Sequence, residues 1–130
     1  MKRDFDLVRK ILIDMEGCES GYVGNLEIEG YTEDQILHHV YLMGQANLLE
    51  IADITSIGSE SPQALPLSIT WSGHDFLDAM RDDTIWNKAK EKVLMPAGKA
   101  AVGASFSVLL GWLKYQAAEK LGIPPNLTSN

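Results

Sequence analysis

Residues 31–51, YTEDQILHHVYLMGQANLLEI, decide the fold. Thr32 is a helix N-cap, and Gln35 three residues later completes a capping box in which each side chain serves the other's backbone N–H. Glu33 and Asp34 fall in the first turn, where the positive end of the helix dipole favours carboxylates. Ile36, Val40 and Met43, with Leu37 beside them, form one apolar stripe at helical spacing. Asp34, His38, Tyr41 and Gln45 share the opposite side, with Gln35 flanking them. Asn47 tolerates the left-handed conformation that ends helices, and Leu48 is placed to fold back on the last turn.

Outward from this helix the patterns change period. Leu48–Thr55 and Leu65–Trp71 alternate as strands, with Leu65, Leu67, Ile69 and Trp71 in one phase. Between them SIGSESPQA is a Ser-, Gly- and Pro-rich loop, so helix is followed by hairpin, and residues 57–64 are the segment with least to bury. Upstream, Phe5, Val8, Ile11, Leu12 and Met15 predict a first helix over Asp4–Glu16 with Asp4 as N-cap. Asn25–Glu29 alternates and predicts a short edge strand.

Downstream, Ser72-x-x-Asp75 predicts the start of a helix that buries Phe76, Leu77 and Met80. Asp82-Asp83 marks a kink or a fresh cap, and Thr84–Met95 continues with Ile85, Trp86 and Ala89 on one side. Pro96 and Gly98 break it. A last helix covers about Lys99–Leu121, and Ile123–Asn130 is a polar tail expected to fray. The expected organisation is a domain over 1–95, a C-terminal helix over 96–122 and a tail over 123–130.

Composition narrows the function. The 130 residues carry a net charge of -7 and a single cysteine, Cys18. One cysteine excludes an internal disulfide or a multi-cysteine zinc site, and a reducing cytoplasm is the expected compartment. Charge is uneven. Residues 1–57 hold four basic and eleven acidic side chains, and residues 95–130 hold three basic and one acidic. Such a field repels phosphate and lacks the basic footprint of a nucleic-acid binder. The 14 uncharged residues between Lys99 and Lys114 fall short of the roughly 20 that span a membrane.

The element order, helix, strand, helix, strand, loop, strand, helices, is that of a winged helix, although the usual separate helix before the recognition helix is missing. The fold class is mainly α with a small β-hairpin (α+β): a winged-helix-like domain followed by C-terminal helices. Tyr31–Ile51 resembles the recognition helix and following strand of bacterial winged-helix regulators, with Asn47 where their turn glycine stands. Over about Met1–Leu121 the chain resembles a small family of uncharacterised proteins of bacteria and their prophages, a domain of unknown function. MKRDFDLVRKIL, LEIEGYTEDQILHHVYLM and above all WSGHDFLDAMRDDTIW carry that resemblance. It implies a phage or prophage setting and transfers no catalytic residue.

No nucleophile elbow, phosphate loop or dinucleotide fingerprint occurs, so the expectation is a non-enzymatic protein without cofactor. Adjacent helical residues point about 100° apart, so His38 and His39 do not converge on one metal. His38 is expected to face solvent and His39 to flank the core. Trp71 and Trp86 are read as core. Gly103, Ser107 and Gly111 are spaced for close helix approach, and with Phe106 and Leu110 they make the last helix a candidate homodimer surface.

Two functions remain. In the first, a phage-type regulator contacts DNA weakly as a dimer. Asp34, Gln35, His38, Tyr41 and Gln45 then face the groove, and phosphate contacts come from Lys2, Arg3, Arg9, Lys10, Lys88, Lys90 and Lys92. Protonating His38 and His39 would strengthen that contact. In the second, an acidic module of the same fold binds a host or phage protein and no DNA.

Overall fold

The computed structural model describes residues 2–18, 26–58, 61–91, 109 and 111–116. The chain forms two compact units, Met1–Leu77 and Asp78–Asn130.

In the first unit Asp4 caps α1 (Phe5–Glu16), its carboxylate accepting from the backbone N–H of Asp6 and Leu7. Leu7, Val8, Ile11, Leu12 and Met15 are all buried, as the three- and four-residue spacing requires. α2 (Glu33–Gln45) has the full capping box: Thr32 Oγ1 accepts from Gln35 N at 3.1 Å and Thr32 N donates to Gln35 Oε1 at 2.9 Å. Its buried stripe is Ile36, His39, Val40 and Met43. The helix ends through Asn47 at φ 61°, and Leu48 N donates back to the Met43 carbonyl at 2.9 Å. That reversal feeds β1 (Leu49–Asp53), which pairs antiparallel with β2 (Ala64–Ile69), with an irregularity between Glu50 and Ile51. α2 packs on α1 and on both strands, and α1 also packs on β2. Gly44 gives Ile51 its place, because a Cβ there would collide with that side chain.

The result is a mainly helical α+β fold with one two-stranded hairpin among the described residues. Three expectations are corrected. Residues 26–29 form no strand, although Leu26 and Ile28 alternate with Glu27 and Glu29. The strand phase of β2 ends at Ile69, and α3 (Trp71–Met80) starts two residues earlier than Ser72 suggests. Thr70 does the capping: its hydroxyl accepts from Gly73 N at 3.0 Å and its carbonyl from His74 N at 2.9 Å. Thr70 N also closes the sheet on the Leu48 carbonyl, so one residue ends the strand and begins the helix. Third, Trp71 is 85% exposed and is no core residue. Placing it on the inward face assumed that the alternation of Leu65, Leu67 and Ile69 marked the buried side. Ala64 and Pro66 are the buried residues of β2, and Leu65 and Leu67 point outward.

In the second unit Asp82 is the fresh cap, accepting from Thr84 N and Ile85 N at the start of α4 (Asp83–Ala89). Trp86 and Ala89 are buried, as expected. Arg81 pairs with Asp78 at 2.8 Å in the open, a contact of little energetic weight. Residues 111–116 are helical within the expected last helix, and Leu109 and Leu113 are fully buried.

Candidate partner-binding face

The outward side of α2 is a connected set. His38 and Tyr41 stack with ring centroids 6.5 Å apart and planes 12° from parallel, and Gln45 Nε2 donates to the Tyr41 hydroxyl at 3.4 Å. Two members are tied to the chain entering β2. His38 Nδ1 donates to the Pro62 carbonyl at 2.8 Å, and Gln63 Nε2 donates to Asp34 Oδ1 at 2.9 Å. The loop is itself closed by Ile54 N to the Gln63 carbonyl and Gln63 N to Thr55 Oγ1. Gln35 is spent on the capping box. Asp34 and His38, two of the five residues read as groove-facing, are therefore fastened to the loop end of the hairpin.

His39 differs from the sequence expectation. It is 2% exposed and lies inside the core rather than beside it. Its Nε2 accepts from Asp4 N at 2.9 Å and its Nδ1 donates to the Gln35 carbonyl at 2.7 Å. Both contacts need the neutral ring, with the proton on Nδ1. Burial pushes its pKa below the usual 6.5, against the opposing pull of the Gln35 carbonyl and Asp4. Asp4 also accepts from the Tyr31 hydroxyl at 3.0 Å. Desolvation first, and then this hydrogen bond, hold the Tyr31 pKa up at about 12. One residue thus caps α1 and joins it to the approach and interior of α2. The expected gain in DNA contact on protonating His39 has no physical basis, because the charge would appear inside the core.

The basic residues are dispersed. Lys2 is exposed, Arg3 lies 5.8 Å from the Phe5 ring centroid and Lys10 5.4 Å from that of Tyr31. Arg9 is half-buried in the same unit; Lys88 and Lys90 belong to the other unit. Lys92, Gly103, Phe106, Ser107 and Leu110 lie outside the described residues. Gly111 is exposed, with open space among the described residues where a Cβ would stand.

Among the described residues, Ile54, Ile57, Leu65 and Leu67 put exposed apolar side chains on the hairpin and its loop, with Ile13, Trp71 and Tyr115 exposed elsewhere. Leu65 is 45% and Leu67 52% exposed, on the outward phase of β2 and just before Trp71. Leu65 also lines an open groove of about 630 Å³ between residues 26–31, the start of α2 and the hairpin. Leu26, Ile28, Ile36, Leu37, Ile54 and Pro66 supply its apolar lining, and Glu27, Glu29 and Glu33 its charge. Sequence reasoning missed this groove. Its one local signal was Leu26 and Ile28 alternating with Glu27 and Glu29, which was spent on a strand. Among the described residues no three His, Cys, Asp or Glu side chains are grouped to hold a metal, and no helix is long and apolar enough to cross a membrane.

Fold and surface define a small α+β helix-and-hairpin domain with an acid-edged apolar face. The chain belongs to the family described as Hypothetical protein (DUF2513), which matches residues 2–99. An uncharacterized protein of Haemophilus influenzae strain Rd is 35% identical over 96 residues, covering 72% of this chain and 79% of that protein. No solved structure matches the chain.

Proposed function

We propose that this chain is a non-enzymatic, cytoplasmic protein-interaction domain that presents the outer face of its hairpin to a partner protein. The observation that carries this reading is the inverted polarity of β2. A hairpin with one face on a core ordinarily shows polar side chains to water, whereas Leu65 and Leu67 face outward and the large ring of Trp71 stands beyond them. Large exposed apolar side chains mark interaction surfaces where they gather, and tryptophan is among the side chains enriched at the energetic centres of such surfaces.

The DNA-regulator reading has the helix-then-hairpin order in its favour. Against it stand a groove-facing set without lysine or arginine and the fastening of Asp34 and His38 to the hairpin loop. The family resemblance adds a phage or prophage setting, and the last helix adds a homodimer; both belong to the proposal on sequence grounds.

A photo-crosslinking amino acid at position 67 or 71, in the full chain expressed in its own host, tests the reading. The expected result is one recurrent protein adduct, reproduced with that purified protein and lost on Trp71→Ser. Adducts to nucleic acid, with retention on DNA that fails when Lys2, Arg3, Arg9 and Lys10 become alanine, would overturn it in favour of the regulator.

A further inference from the structure

We infer that the groove between residues 26–31 and the hairpin receives a short partner segment in which apolar side chains alternate with lysine or arginine. The inference rests on the protein-interaction reading and specifies the partner's chemistry. The groove's floor is apolar, from Leu26, Ile28, Ile36 and Leu65. Among the described residues its ionisable side chains besides Tyr31 are Glu27, Glu29 and Glu33, all three exposed. The Tyr31 hydroxyl already donates to Asp4, so the polar side chains left to meet a ligand among the described lining residues are acceptors only. An anionic or hydrogen-bond-accepting ligand would meet repulsion and find no donor among these side chains. A cationic segment with apolar side chains satisfies both parts, its aliphatic groups on the floor and its charges against the glutamates.

A peptide also fits the shape better than an enclosed small molecule. The cavity of about 630 Å³ is open to solvent rather than enclosed. Residues 26–29 form no strand, but half-buried Leu26 and Ile28 alternate with exposed Glu27 and Glu29, so apolar and charged groups follow one another along the wall. A segment of about six residues, the ordinary length of a strand, would present its side chains in the same period.

The experiment uses the full chain and three labelled synthetic peptides of that length: alternating Lys–Leu, alternating Glu–Leu and alternating Lys–Ser. Binding is followed by anisotropy at low salt. Two double variants carry the same change in net charge, Glu27→Lys/Glu29→Lys at the groove and Glu50→Lys/Asp75→Lys at exposed positions elsewhere in the same unit. The expected result is binding of Lys–Leu alone. The groove variant should lose about five- to tenfold in affinity, the effect of two partly screened ion pairs, and the distant variant should lose much less. Leu65→Ser should also weaken binding. Equal loss in both double variants would mean general attraction to an acidic protein and would overturn the inference. So would equal binding of Lys–Ser, or crosslinks showing a second copy of the chain seated in the groove. A protein adduct at position 67 or 71 together with no Lys–Leu binding would remove this inference and leave the interaction reading standing.

Discussion

His39 shows how a single residue can bind the fold to pH. Its neutral ring accepts from Asp4 N and donates to the Gln35 carbonyl, so a second ring proton would displace the Asp4 bond. Burial acts most strongly on it and lowers its pKa; the Gln35 carbonyl and then Asp4 favour the charged form, and His38 disfavours it. In the unfolded chain its pKa is the usual 6.5 and in the folded chain it is lower, so between those values the unfolded state binds more protons. Stability is therefore fully present above 6.5 and is lost as pH falls through that window. Tyr31 sets the opposite limit. Its folded pKa of about 12 lies above the usual 10, so its contribution is present below 10 and lost as pH rises towards 12. Urea unfolding across pH should show both limbs, and His39→Gln should flatten the acid one. An imidazole resonance of His39 titrating at or above 6.5 in the folded protein would refute this account.

At the scale of elements, what was legible in the sequence was whatever is decided within four residues. Asp4, Thr32, Asn47 and Asp82 each cap or terminate a helix by bonds to neighbours in the chain, and each does so in the structure. The outward set on α2 was legible for the same reason, since helical phase alone gathers it. Its ties to Pro62 and Gln63 were not, because they depend on where a loop more than twenty residues away returns. The groove was invisible for the same cause: its lining joins residues 26–37 to Ile54 and Leu65. Thr70 and Ser72 were equally good caps locally, and tertiary packing chose between them. Gly73 shows how. A Cβ there would run into the Leu48 carbonyl, a backbone atom with little freedom to move, and would press on the Ile69 side chain. Gly73→Ala should thus destabilise the first unit by about 1–3 kcal/mol, as overpacking does, despite the higher helix propensity of alanine. Gly58→Ala, at a site with open space, is the control. Equal unfolding midpoints for Gly73→Ala and the parent would show that the junction between hairpin and α3 is looser than described.

For the whole molecule the decisive quantity is the distribution of charge. Residues 1–57 carry -7 and residues 95–130 carry +2, so two copies repel through their N-terminal parts and not through their C-terminal ones. If the chain pairs with itself, the last helix is the segment the charges permit. Leu109 and Leu113 are already buried, whereas Gly111 is exposed, with nothing among the described residues where a Cβ would stand. Salt then acts on the two associations with opposite sign. Screening over about 10 Å at 0.1 M ionic strength relieves the repulsion between two acidic copies and so strengthens a homodimer. The same screening weakens a cationic segment held by Glu27, Glu29 and Glu33. Sedimentation at rising salt should therefore show more dimer, while anisotropy with the Lys–Leu peptide shows less binding. Gly111→Leu should abolish the dimer without moving the peptide affinity, since Gly111 and the groove lie in different units. A parent chain that stays monomeric at every salt and micromolar concentration would remove the homodimer. A dimer that weakens as salt rises would mean that opposite charges meet, the acidic N-terminal part of one copy against the basic C-terminal part of the other, and would overturn pairing of the last helix with itself.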